Sequence, residues 1–204
     1  MAQPLHRFLP RILPSVPACP EPTAEAEVLA AAIELCQRTR CWRLIDDRVL
    51  PSGWSGPIAI SLPDGAALHE IERAWFSGRK LDPEPFTDAP PEDLVSGPAT
   101  AFSQVDRGEI LLWPAGEAGT LRLSLFLKPS QGADEVPDDL FQDHLEDIAA
   151  GALGKLLLIP EKSWTNPSLA GVYVSRFEAA CNKHFASNIR GQQGAPARTR
   201  ARFL

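Results

Sequence analysis

DDLFQDHLEDIAAGALGKLLLI, running from Asp138 to Ile159, is the stretch whose reading decides the fold. Pro137 precedes it and Pro160 stops it. Phe141, Leu145, Ile148, Ala152, Leu156 and Ile159 fall at three- and four-residue steps, so they share one helical face. Asp138, Asp139, Asp143, Glu146 and Asp147 crowd the first turns, where the positive end of the helix dipole favours carboxylates. From Ile148 to Ile159 only Lys155 is charged, and Gly151 and Gly154 permit close backbone approach. A helix packed on nearly all sides in its second half follows. Asn166-Pro167 then reads as an N-cap with proline at the first helical position. Leu169, Tyr173, Phe177, Ala180 and His184 form the stripe of a second helix. The short Pro160 to Thr165 link makes the two helices antiparallel neighbours.

Upstream, six prolines between Pro4 and Pro22 predict an extended N-terminal arm. Thr23 to Cys41 predicts a helix with Ala26, Leu29, Ala30, Ile33 and Gln37 on one face, widened by Cys36. From Leu44 to Lys128 the period changes. Short apolar runs alternate with Pro, Gly and Asp, and Leu121, Leu123, Leu125 and Leu127 alternate with Arg122, Ser124 and Phe126, the pattern of a strand. Turns at Ser77-Gly78 and Asp106-Arg107-Gly108 read as hairpins, and Leu81 to Ala99, with five prolines, as loop. The expected fold class is α+β: an antiparallel helical bundle with an inserted β-rich segment, the extended N-terminal arm and a basic C-terminal tail. The arm covers 1–22, the bundle 23–43 and 137–190, the β-rich insertion 44–130 and a flexible tail 191–204.

The 204 residues carry a net charge of -6. Without Arg190, Arg198, Arg200 and Arg202, the body holds 16 basic against the 26 acidic residues. An acidic body argues against general nucleic-acid binding, and the basic tail suits an acidic docking surface or stays solvated. No apolar run is long enough for a membrane span, and no signal-peptide pattern opens the chain. Cys19, Cys36, Cys41 and Cys181 form no Cys-x-x-Cys pair and read as reduced cytosolic thiols.

Catalytic signals are absent. Gly151-Ala152-Leu153-Gly154-Lys155 lacks the first P-loop glycine, has Leu156 where Ser or Thr must hold magnesium, and lies inside a helix. Asp143-His144 with Glu146-Asp147 reads as a solvated helix face and not a metal cluster, because neighbours along a helix point apart and no histidine follows four residues on. Asp134, Glu135, Asp138 and Asp139 lack the EF-hand spacing. Gly53-Trp54-Ser55-Gly56 is no nucleophile elbow. His184 reads as a hydrogen-bonded, partly buried histidine, and Trp54, in a Gly/Ser turn, as a core or interface anchor. The expectation is a chain with no enzymatic activity, no cofactor and no metal.

Several strings resemble a known family. They are Glu34-Leu35-Cys36-Gln37-Arg38-Thr39-Arg40-Cys41-Trp42, Ile71-Glu72-Arg73-Ala74-Trp75-Phe76-Ser77-Gly78, Leu127-Lys128-Pro129-Ser130, Glu146-Asp147-Ile148-Ala149-Ala150-Gly151-Ala152-Leu153, Pro160-Glu161-Lys162-Ser163-Trp164 and Phe177-Glu178-Ala179-Ala180. In this order, over roughly residues 16 to 190, the chain resembles the head-to-tail adaptor proteins of tailed bacteriophages, in particular the tail tubular protein A type of short-tailed phages. The resemblance implies a homo-oligomeric ring, twelve copies in known relatives, in the virion neck between the portal protein and the tail nozzle protein. The virion is assembled in the host cytoplasm. Genomic DNA passes through the lumen without sequence-specific binding, and an acidic lumen lets it slide. A closed ring needs two different complementary faces on each protomer. Arg38 and Arg40 at the end of the first helix, and Asp138, Asp139 and Asp143 at the start of the central one, are the candidate ring contacts. Arg198, Arg200, Arg202, Phe203 and Leu204 are the candidate portal-docking residues. A head-completion or neck protein of a long-tailed phage, and a small soluble enzyme with an unrecognised site, remain the alternatives.

Overall fold

A computed structural model describes residues 2–86 and 97–190, the last two through their backbone alone. The chain divides into two compact units, one made of Met1–Trp42 with Lys128–Leu204 and the other of Arg43–Leu127.

The first unit opens with strand β1 (Ala2–Pro4), a 3-10 turn (Leu5–Phe8), the short helix α1 (Leu9–Ile12) and another 3-10 turn (Leu13–Ser15). Helix α2 spans Glu21–Thr39, strand β10 Glu135–Pro137, helix α3 Asp138–Leu156 and helix α4 Pro167–Arg190. β1 pairs antiparallel with β10, so Gln3 lies opposite Val136, and Gln3 donates a side-chain hydrogen bond to Asp138. One apolar core joins Phe8, Ile12, Val16, Val28, Leu35, Ile148, Leu153, Leu156 and Phe177. α2 and α4 both run antiparallel to α3. Lys155 pairs with Glu34 at 3.0 Å, while a Cβ on Gly151 would meet both Phe177 and Ala31.

In the second unit, β2 (Arg43–Leu50), β9 (Gly119–Pro129), β4 (Ala66–Phe76) and β5 (Arg79–Lys80) form one four-stranded sheet in that order. Another holds β3 (Ile58–Ala59), β8 (Glu109–Trp113), β7 (Ala101–Asp106) and β6 (Asp82–Pro83), with β6 and β7 parallel. Leu121, Leu123, Leu125 and Leu127 are all buried, and on the opposite face of β9 Ser124 and Phe126 are buried too, while Arg122 is exposed and pairs with Asp47. Ser77 and Gly78, at φ of 48° and 83°, make the tight β4–β5 turn, where glycine accepts the left-handed backbone at no steric cost.

The class is α+β, but the expected antiparallel helical bundle with an inserted β-rich segment and an extended arm is not supported. The described residues hold four helices and three sheets, antiparallel or mixed, one of which lies within the helical unit itself. The N-terminal arm is the plainest correction. Leu5, Phe8, Leu9, Ile12 and Val16 recur at helical steps and are buried. Pro10 and Pro14 sit in the first turns of α1 and of the second 3-10 turn, where proline's missing N–H costs nothing. Proline count concealed that stripe. The buried face of α2 also differs. Of the expected face Ile33 and Cys36 are buried and Leu29 packs half-buried on the core, but Ala26 and Gln37 are exposed, and Ala24, Val28, Ala31, Ala32 and Leu35, outside that face, are buried. An alanine-rich helix is apolar nearly all round, so its partner chooses the face.

Candidate functional site

Thiol, imidazole and carboxylate side chains come together where the end of α2 meets the first half of α3 and the second half of α4. Thr39 donates its hydroxyl to Leu35 O at 2.7 Å, and Arg40 takes a left-handed conformation at φ 55°, its N–H closing on Cys36 O. That reversal turns Cys41 back along the helix, and its sulfur lies 3.8 Å from the buried Cys36 sulfur. Asn188 of α4 holds the same corner by donating to Thr39 O at 2.9 Å.

His144, expected on a solvated face, is 8% exposed. Its ring meets that of His184 edge-on, with centroids 4.5 Å apart. Asp147, one turn further along α3, lies 2.8 Å from His184 Nε2 and 3.8 Å from His144 Nδ1. The helix period puts residues 144 and 147 on one side, and the antiparallel hairpin supplies the histidine that sequence spacing lacked. His184 has the partly buried, hydrogen-bonded character expected of it. The Nδ1 atom of His144 is buried without a hydrogen-bond partner.

The electrostatics follow from that crowding. The Cys36 thiol beside Cys41 brings the Cys41 pKa down to about 5 against the opposing effect of burial, helped by His144 and Thr39. Cys36 is pushed up by that same hydrogen bond and by burial. Burial works to lower His144, but the Cys41 hydrogen bond and the charges of Cys41, Asp147 and Asp143 outweigh it, and its pKa is raised. Burial likewise raises Cys181, to about 11.

The predicted ring contacts are partly engaged within the chain itself. Arg38 bonds Glu34 and lies over the Phe177 ring, and Arg40 lies over Phe185. Asp138 accepts from Gln3 and Gln142, while Asp139 and Asp143 are exposed. The antiparallel α2–α3 pairing places the basic and acidic groups at one end of the helical unit. The predicted portal-docking residues Arg198, Arg200, Arg202, Phe203 and Leu204 lie outside the described residues.

On α4, only Ala170, Phe177 and Cys181 are buried among the described side chains. Val172, Ser175, Ala179, Asn182 and Ala186 are all exposed and recur at three- and four-residue steps. In the β unit, Ile45, Trp75, Gly78, Thr120 and Arg122 line an open groove, and Trp54 donates from its indole to Glu117 O and tilts against Phe76. No described helix is long and apolar enough to cross a membrane. No family model matches this chain, and no curated protein matches it either.

Proposed function

We propose that this chain is a structural protein of a tailed-phage virion: a head-to-tail adaptor whose copies close into a ring around a DNA channel. The family resemblance supports the reading, and the observation that carries it is the outer face of α4. Twenty-four residues of helix span about 36 Å. Along that length α4 leaves Val172, Ser175, Ala179, Asn182 and Ala186 in one exposed row. Small side chains at this repeat let a neighbouring helix approach closely, the contact a ring repeats from copy to copy. The exposed Asp139 and Asp143 are charged groups available to such a neighbour.

The portal is the partner above the ring and the tail nozzle protein the partner below. Arg198, Arg200 and Arg202 alternate in the sequence, so an extended strand directs them to one side, with Phe203 and Leu204 as apolar anchors. Guanidinium forks suit carboxylates on a portal surface.

The test is mass measurement and electron microscopy of the purified chain with the portal protein of its own genome. Rings on the portal are expected. Ala179→Arg is expected to leave a folded monomer that forms no ring, and removal of residues 191–204 to leave ring-competent protein that no longer docks. A chain that stays monomeric with the portal present overturns the reading. Full docking by the truncated chain removes the C-terminal segment from it.

A further inference from the structure

We propose that His144, Asp147 and His184 bind one zinc-class divalent cation that ties α3 to α4. Three donor atoms, one from each side chain, lie within 4.8 Å of one another. Bonds of about 2.0 Å in tetrahedral geometry set donors about 3.3 Å apart. Asp147 lies 2.8 Å from His184 and 3.8 Å from His144, on either side of that value, and the two histidine donors lie within 4.8 Å of each other. Holding one ion requires the side chains to rotate so that all three donors close to that spacing.

An independent observation points to a ligand. The Nδ1 atom of His144 is buried with no hydrogen-bond partner, and it faces the Asp147 carboxylate at a distance too long for a hydrogen bond. A buried, unsatisfied polar atom carries a desolvation penalty that coordination removes. The Cys41 thiol lies against the same imidazole, outside the three-donor set. Two imidazoles and one carboxylate select zinc and similar transition dications, whereas calcium and magnesium favour all-oxygen sets. The fourth position falls to water. Binding releases whatever protons the two imidazoles hold, since a ligating nitrogen must be unprotonated.

The ion closes the far end of the α3–α4 hairpin. At the near end, Asn166 caps α4 by accepting from Leu169 N, and Thr165 bonds Ile159 O. This inference does not depend on the adaptor reading.

The test is titration of the EDTA-stripped full chain with zinc chloride, by calorimetry and by elemental analysis after dialysis. One zinc per chain is expected, with a rise of several degrees in melting temperature that excess calcium does not reproduce. Asp147→Asn and His184→Gln alter partly exposed side chains, so circular dichroism is expected to remain that of the parent. Each is expected to weaken zinc binding more than about 100-fold. A Cys36→Ser/Cys41→Ser chain is expected to keep one zinc. Absence of zinc from the parent overturns the proposal, as does retention by the Asp147→Asn chain or loss confined to the double cysteine variant.

Discussion

Cys41 sits one residue past the left-handed Arg40, and that position separates it chemically from the other three cysteines. Cys19, Cys36 and Cys181 are buried, whereas Cys41 is partly exposed. Burial raises Cys19 and Cys181, while the neighbouring Cys36 thiol brings Cys41 to about 5. Thiolate is the nucleophile, so alkylation rate follows the thiolate fraction. An ordinary thiol with a pKa near 9 gains about 100-fold in rate between pH 6 and pH 8. On EDTA-treated protein, Cys41 is expected to react first with iodoacetamide, at a rate nearly flat over that range. Peptide mass spectrometry after timed quenching reads this out; a Cys41 rate that climbs with pH like a free thiol contradicts it. A depressed thiol favours the folded state above its unfolded pKa, and that contribution disappears as pH falls through about 5. His144, with its raised pKa, favours folding below its unfolded value, and its contribution fades as pH rises through the folded one. None of this is readable locally: Cys41 and His144 are far apart in the chain, and only the α2–α3 pairing joins them.

At the scale of elements, the contrast between two helical glycines isolates packing from propensity. Glycine in a helix interior costs about 1 kcal/mol relative to alanine. At Gly171 on α4 a Cβ meets nothing within 4 Å, so Gly171→Ala is expected to stabilise by about 0.5–1 kcal/mol. At Gly151 on α3 the same Cβ falls 2.9 Å from two Phe177 ring carbons and 3.0 Å from Ala31 Cβ. Overpacking a core typically costs about 1–3 kcal/mol, which exceeds the propensity gain, so Gly151→Ala is expected to be less stable than the parent. Urea denaturation of both variants checks the pair; a gain at both sites means that α2, α3 and α4 do not meet as closely as they do here. The close approach at Gly151 was legible in the sequence as a glycine inside an apolar helix, but its partners were not. The α4 stripe was legible in part: Phe177 is buried and Leu169, Tyr173, Ala180 and His184 are half-buried, but Ala170 and Cys181, one position along, are buried instead. The α2 face was not, because alanine has too little side chain to commit one.

Across the whole molecule, charge makes a further prediction. Acidic residues outnumber basic ones in the chain, and four of the arginines fall at or after residue 190. Binding to duplex DNA requires cations that displace condensed counterions, and an acidic protein repels phosphates instead. A chain truncated after residue 190 is therefore expected to show no retardation of duplex DNA in native gels even at about 50 mM salt, where cation contacts to phosphate are less screened. Retardation that weakens with added salt contradicts the proposed channel. The sequence by itself determined the helical hairpin of α3 and α4, the strand alternation of β9 and the turn at Ser77-Gly78, because period, caps and glycine backbone freedom are local. Tertiary structure alone decided the rest. It folded the proline-rich start into helical turns, since buried apolar steps at Leu5, Phe8, Ile12 and Val16 gain more than the prolines cost. It divided the strands of the second unit between two sheets, and it brought His184 against Asp147 and His144 from the next helix. Such contacts join residues distant along the chain, and their partners are chosen only when the faces of whole elements close against one another.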